Sequence, residues 1–223
     1  GCLTGGEAKP FNFEVFQFIA DLNRKARAGD CHFAVTLCTG RQEPYVEAMM
    51  QAIDAHMPAI YENGGGMYFP SSYRFAENPL ITAAVRERLT EIRRVLRREI
   101  VETGIGQFQP GKEVQVTLYP ARAEIAFEEL AERARRALNG AADGFTIKAS
   151  VTSVEILPQG VDKGAGVVWL ARETGIPLIE MAGVGDAPGD LAYLLKMGRS
   201  AAPANATDDV KAAVQYVSPF DDA

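Results

Sequence analysis

The residues best suited to chemistry in this chain are Asp186 and Asp190, in the stretch Ala182-Gly-Val-Gly-Asp186-Ala-Pro-Gly-Asp190. Two carboxylates in one glycine-containing turn suit a hard cation such as Mg²⁺, which takes oxygen ligands and usually keeps several waters. The same turn also reads as a strand-to-helix loop whose last aspartate is a helix cap. The flanking elements must decide what the turn can do. Upstream, the apolar run Ile176–Met181 predicts a buried strand that ends at the glycines. Downstream, Leu191, Leu194 and Leu195 predict a short helix. Carboxylates at the carboxyl end of such a strand sit where open α/β sheets take their ligands.

Composition narrows the field of partners. The 223 residues are 47% hydrophobic, enough for one large domain or a core with a smaller insert. Net charge is −6, and no basic run interleaves with aromatics, which argues against nucleic acid as a partner. No apolar stretch approaches the length of a membrane span and no signal-peptide pattern opens the chain, so no membrane partner and a cytoplasmic location are expected. Cys2, Cys31 and Cys38 have neither disulfide nor metal-ligand spacing, and with only His32 and His56 no zinc site is expected. No feature specifies an oligomeric state.

The remaining elements alternate and then change character. A helix over Phe13–Ala28, a strand over Phe33–Cys38 closed by Thr39-Gly40-Arg41, a helix opening at Glu43-Pro44 and a strand over Ala59–Tyr61 running into Glu62-Asn63-Gly64 predict a parallel sheet. From Met67 to Leu157 the pattern is α+β. Asn78-Pro79 opens a long helix with Ile81, Val85, Leu89, Ile92, Leu96 and Ile100 on one face, and its Arg93, Arg94, Arg97 and Arg98 read as a solvated face. Val114–Tyr119, Phe145–Ser150 and Ser153–Leu157 alternate as strands, and a second helix over Phe127–Leu138 ends at Asn139-Gly140. This block is expected to form one antiparallel sheet with both helices on one side, an insert (67–157) in a core made of 1–66 and 158–223. Beyond it come the loop Asp162-Lys163-Gly164, a helix over Ala165–Thr174, the acidic turn, a short strand and loop over 198–206, and a helix over Asp208–Tyr216.

Six short motifs now stand in order around an insert: Gly1-Cys2-Leu3-Thr4, Thr39-Gly40-Arg41, Glu62-Asn63-Gly64, Asp162-Lys163-Gly164, Gly185-Asp186-x-x-x-Asp190 and Ala204-Asn205-Ala206. With them the chain resembles the haloacid-dehalogenase-like (HAD) phosphatase superfamily, in the branch with an inserted α+β cap that includes sucrose-phosphate and phosphoglycolate phosphatases. The resemblance implies an α/β fold, a Rossmann-like parallel-sheet core with an inserted α+β cap. It implies a hydrolase, a Mg²⁺-dependent phosphatase of a small phosphorylated metabolite such as a sugar phosphate or a phosphoglycolate-like ester. Thr39 would bind phosphoryl oxygens through its hydroxyl, together with the backbone N–H groups that follow it. Lys163 would neutralise charge on the phosphoryl group, Asp186 would hold the metal, and Asp190 would orient Lys163 or the metal shell. Gly40, Arg41 and Asn63, where core faces cap, would contact substrate.

Two departures from the pattern matter. Gly189 stands where the family has Asn. The family's first motif is Asp-x-Asp-Gly-(Thr or Cys)-Leu, and these residues begin at its Gly. The resemblance thus implies a nucleophilic aspartate and an acid–base aspartate upstream of Gly1, and it leads to the expectation that residues 1–223 alone are inactive. Two other readings stay open: a ligand-binding HAD-like protein without a nucleophile, and phosphomannomutase-like phosphoryl transfer.

Overall fold

The computed structural model describes residues 2–5, 9–150 and 152–221, so Gly1 of the first motif lies outside the described residues. Helix α1 (Phe13–Ala28) starts at Asn12, whose Oδ1 accepts the Glu14 N–H at 3.1 Å, and stops at Gly29 in the left-handed region, φ 84°. Its Phe16 and Ala20 are buried, and Phe16 packs with Val46, Met49 and Met50 of α2 (Glu43–Ala52). One polar side chain ties this layer together. Asn23, fully buried on α1, donates from Nδ2 to Ile53 O at 2.8 Å and accepts the Val35 N–H through Oδ1 at 2.7 Å. Asn23→Ala removes that partner from both backbone groups, so a loss of about 2–3 kcal/mol is expected. Urea unfolding reads it, and an unchanged midpoint would show that water reaches both groups.

The strand expected over Phe33–Cys38 is present only at its end. Cys38 makes a single parallel bridge to Ile60 of β1 (Ala59–Tyr61), with Ile60 N–H donating to Leu37 O at 2.8 Å and Thr39 N–H to Ile60 O at 3.1 Å. The ladder stops there because β1 is three residues long, and Phe33 is left 67% exposed. β1 then turns back on β2 (Gly66–Phe69) in an antiparallel pair, and β3 (Arg74–Glu77) completes this sheet. The rhythm of a purely parallel sheet therefore breaks at Tyr61.

The chain divides into two compact units, Gly1–Ala76 with Asp162–Ala223, and Glu77–Val161. Met67, where the sequence pattern puts the start of the insert, is instead paired with Ile60 in β2 and buried beside Val167.

In the second unit α3 (Ala83–Leu96) is capped by Thr82, whose Oγ1 accepts the Val85 N–H at 3.3 Å, and not by Asn78. Asn78 Oδ1 accepts the Leu80 N–H at 3.0 Å and closes a turn ahead of the helix. Strands β4 (Gly106–Phe108) and β5 (Val116–Pro120), helix α4 (Phe127–Leu138), and strands β6 (Phe145–Ala149) and β7 (Val154–Pro158) follow. The four strands form one antiparallel sheet in the order β4-β5-β7-β6. Alternation sends Val116, Leu118, Val154 and Ile156 to one face, where they pack with Leu89, Ile92 and Leu96 of α3 and Leu130 and Ala134 of α4. β4 is too short, and opens on a glycine, to show in a periodicity search.

The first unit resumes with α5 (Lys163–Thr174), capped by Asp162 through the Ala165 N–H at 2.7 Å and ended by Gly175 at φ 71°. Here the sequence expectation shifts. Ile176–Met181 is not a strand: Leu178–Glu180 forms a 3₁₀ turn, with Glu180 N–H donating to Pro177 O at 2.9 Å, and Ile179 is 75% exposed. The strand is β8 (Ala182–Val184), inside the stretch that reads as loop. Pro177 has no N–H for a ladder, whereas small residues fit beside helix α6 (Leu191–Leu194). A Cβ at Gly183 would stand 2.5 Å from Met197 Sδ and 2.9 Å from the Tyr193 ring. β9 (Arg199–Ala202), α7 (Asp208–Ala213) and β10 (Tyr216–Val217) follow, and β8, β9 and β10 pair in parallel in the order β10-β9-β8. The helix expected to reach Tyr216 stops early, because Tyr216 and Val217 pair with Ala201 and Ala202. No helix among the described residues is long and apolar enough to cross a membrane.

Candidate active site

β8 delivers the chain to Gly185, where a Cβ would stand 2.5 Å from Asp190 Cβ and 2.9 Å from the Tyr193 hydroxyl. The missing side chain lets Asp190 fold back under the turn. Asp190 is 3% exposed, and each of its oxygens is engaged. Oδ2 accepts the Asp186 N–H at 2.9 Å and the Ala187 N–H at 3.0 Å, and Oδ1 accepts from Lys163 Nζ at 2.5 Å. The charged reading of Asp190 is thus realised, whereas its side chain makes no capping bond to α6 and the amides it accepts belong to its own turn. Lys163 is the first residue of α5 rather than part of a loop, and its side chain is 18% exposed. Helix α5 reaches α6 closely, since a Cβ at Gly164 would lie 2.4 Å from Ala192 O.

The second half of the site grows from the Cys38–Ile60 bridge. Thr39 Oγ1 accepts the Arg41 N–H at 3.2 Å, and the Arg41 guanidinium lies 5.0 Å from the Tyr45 ring centroid. The carbonyls of Thr39 and Arg41 accept the Asn63 N–H at 3.0 Å and the Glu62 N–H at 2.9 Å. A Cβ at Gly40 would meet the Asn63 carboxamide at 2.9 Å, and a Cβ at Gly64 would meet Asp162 O at 2.3 Å. Contacts therefore run from Thr39, Gly40 and Arg41 through Asn63 and Gly64 to Asp162 and Lys163, and from Lys163 through Asp190 to Asp186.

Three neighbours escaped the sequence reading. Cys2 Sγ donates to Asp186 Oδ1 at 3.3 Å, the Tyr193 hydroxyl donates to Val184 O at 2.6 Å, and the Thr207 N–H donates to Asp186 O at 3.0 Å. Cys2 stands inside the first motif, and a thiol without disulfide or metal-ligand spacing gives no signal of a hydrogen bond to Asp186. Tyr193 lies in the apolar pattern of α6, with nothing to single it out. Burial pushes the Cys38 thiol up to about 12; Lys163 nearby opposes that rise, and the carboxylates of Asp190 and Asp162 add to it. Burial and then the Asp186 charge push the Cys2 thiol up, and burial with Asp190 pushes Tyr193 up. All three stay protonated at neutral pH, so Cys2 is a hydrogen-bond donor and neither thiol is a thiolate nucleophile.

Among the described residues no group of three or more His, Cys, Asp or Glu side chains is set to hold a metal. The acidic turn nevertheless suits Mg²⁺, which needs only one or two protein carboxylates beside water and phosphate oxygens. Asp190 is matched by the Lys163 cation, while Asp186 presents a half-buried carboxylate at the rim of the turn.

The model of the haloacid dehalogenase-like hydrolase family matches residues 109–223. A phosphoglycolate phosphatase of Pyrobaculum aerophilum is 30% identical over 120 residues, 54% of this chain but only 50% of that relative's length. A phosphoglycolate phosphatase of Thermoplasma volcanium is 28% identical over 190 residues, 83% of this chain and 76% of that protein. Among solved structures, the sucrose-phosphatase of Synechocystis sp. PCC6803, in complex with sucrose and phosphate, superposes with a TM-score of 0.68 at 13% identity, covering 96% of this chain and 88% of that one. The last of these likenesses is one of fold.

Proposed function

Because this chain belongs to the haloacid dehalogenase-like hydrolase family, we propose that it serves a Mg²⁺-dependent phosphatase of a small phosphorylated metabolite, a phosphoglycolate-like ester or a sugar phosphate. The observation that carries the reading is the part-buried Lys163–Asp190 pair at 2.5 Å, whose carboxylate also braces the turn that holds Asp186. A lysine fixed there by a carboxylate is a preorganised cation for phosphoryl oxygens, and phosphoryl transfer needs chiefly positioning and charge stabilisation. Two relatives that bear the name phosphoglycolate phosphatase support the substrate class.

The geometry supports a role for each residue. Thr39 Oγ1 already accepts the Arg41 N–H, so its hydroxyl proton is directed toward another acceptor, a phosphoryl oxygen. Gly40 and Arg41 line the same loop and contact substrate. Asp186 would hold Mg²⁺, which when bound supplies further charge neutralisation at the phosphoryl group. Cys2 orients the Asp186 carboxylate through its thiol proton. The reaction runs through an aspartyl-phosphate: a carboxylate oxygen attacks phosphorus as the P–O ester bond breaks, the leaving oxygen takes a proton from the acid–base aspartate that the resemblance implies, and that aspartate then takes a proton from the water that releases phosphate. Asp190 is not that nucleophile, because both of its oxygens are engaged. Asp186 is assigned to the metal, so the attacking aspartate is a third one.

The test uses protein expressed from its own gene and a panel of 2-phosphoglycolate and hexose phosphates. Mg²⁺-dependent release of inorganic phosphate, with a phosphoenzyme labile to hydroxylamine, is expected. Binding of the esters without phosphate release would overturn the phosphatase reading in favour of a ligand-binding protein. Phosphate moved to a second sugar hydroxyl would overturn it in favour of a mutase.

A further inference from the structure

The turn Glu62–Gly64 holds three consecutive residues in the left-handed region, φ 45°, 54° and 95°, and only the last is glycine. All three are buried. Side chains other than glycine are disfavoured there, so such a run persists only where its surroundings over-determine it. Two sets of contacts do so. On one side the Glu62 and Asn63 amides donate to the carbonyls of Arg41 and Thr39, and the Asn63 carboxamide fills the space a side chain at position 40 would need. On the other side Gly64 packs under the Asp162 carbonyl, which accepts the Gly166 N–H at 2.9 Å as α5 begins. The residue between Asp162 and Gly164 is Lys163.

We propose that this left-handed turn is a positioning joint for the chemical step, fixing the Thr39–Arg41 loop against Lys163. The inference rests on the phosphatase reading above, and it makes Asn63 and Gly64 positioning residues that do not touch substrate. Asn63 acts through Gly40, and Gly64 through the Asp162 carbonyl at the head of α5. A displacement of the turn is passed both to the Thr39–Arg41 loop and to the start of α5. Misplacements of about 1 Å typically cost about 10²-fold in rate.

Asn63→Gly keeps the left-handed backbone without a Cβ and removes the carboxamide. It is expected to lower kcat for the phosphomonoester about 10- to 100-fold while KM moves by less than about threefold. Gly40→Ala, whose new methyl would stand 2.9 Å from Asn63 Oδ1, is expected to lose a similar factor alone. In the double variant that methyl occupies the vacated space, and the loss is no greater than in either single variant. Losses that multiply in the double variant, with an active wild type, overturn this inference alone. So does an Asn63→Gly protein whose KM rises with kcat intact, since Asn63 would then be a substrate contact. A wild type that turns over no phosphomonoester overturns the phosphatase reading and this inference with it. Asn63→Gly introduces no new atoms, and its kcat-to-KM split decides the matter even where Gly40→Ala does not fold.

Discussion

Lys163→Met is expected to lower phosphate release by about 10³-fold and to destabilise the folded protein by about 3 kcal/mol. Methionine keeps most of the apolar stem, so the loss is that of the ammonium group. At the site, the cation preorganised for phosphoryl oxygens is gone. In the fold, Asp190 is left 3% exposed with the two turn amides but without its counter-charge. Breaking a buried pair from one side costs more than removing both charges. The double variant Lys163→Met with Asp190→Asn should therefore recover most of the stability and none of the turnover. Urea unfolding and phosphate release on the three proteins check both halves. A Lys163→Met protein with wild-type turnover would remove Lys163 from the reaction.

The second large effect is expected at the other partner. Asp190→Ala deprives the Asp186 and Ala187 amides and the Lys163 ammonium of the carboxylate they share, a loss of about 3 kcal/mol. The turn that aims Asp186 then loses its internal brace and keeps contacts such as Thr207 N–H to Asp186 O at 3.0 Å and Cys2 Sγ to Asp186 Oδ1 at 3.3 Å. Residues that orient a metal ligand are typically worth about 10- to 100-fold in affinity. Calorimetric titration of Mg²⁺ into the wild type and Asp190→Ala should show a Kd raised by that factor. Asp186→Asn should weaken Mg²⁺ binding with little change in the unfolding midpoint, because its carboxylate is not the one that braces the turn. Equal Mg²⁺ affinity in wild type and Asp190→Ala would confine Asp190 to the lysine.

Sequence periodicity served best where a whole face is repeated. The helices over Phe13–Ala28 and Phe127–Leu138 span the residues that their apolar patterns mark, the second ending at Asn139 as its C-cap signal indicates, and the alternating strands of the second unit pair with one another. It failed where a short element is selected by its neighbours. Ile176–Met181 has the hydropathy of a strand, yet Pro177 and a 3₁₀ turn take it out of the sheet, and Ala182-Gly-Val184 enters because little else fits beside Tyr193 and Met197. Tyr216 looks helical and instead pairs with Ala201. At the site, the acidic turn and Lys163 were legible as motifs. That Asp190 Oδ1 meets Lys163 while Oδ2 meets two amides was not, since it depends on Gly185 letting the chain fold back. Cys2 on Asp186 was equally hidden, because no spacing rule relates residues so far apart in the chain.

Helix α5 carries glycine at both 164 and 166, within its first turn or so. A stability engineer would convert both to alanine, a change that in an open helix gains about 0.5–1 kcal/mol per position. Here the methyl at 164 would land 2.4 Å from a backbone oxygen of Ala192, and that at 166 would land 3.0 Å from Ile60 Cγ2 and 3.1 Å from Gly64 Cα. The helix has given up intrinsic propensity for closeness on two sides. Heat tolerance in this protein must therefore be sought elsewhere, in exposed positions of α1, α3 and α4, and any variant library that samples residues 164 and 166 freely should return glycine at both.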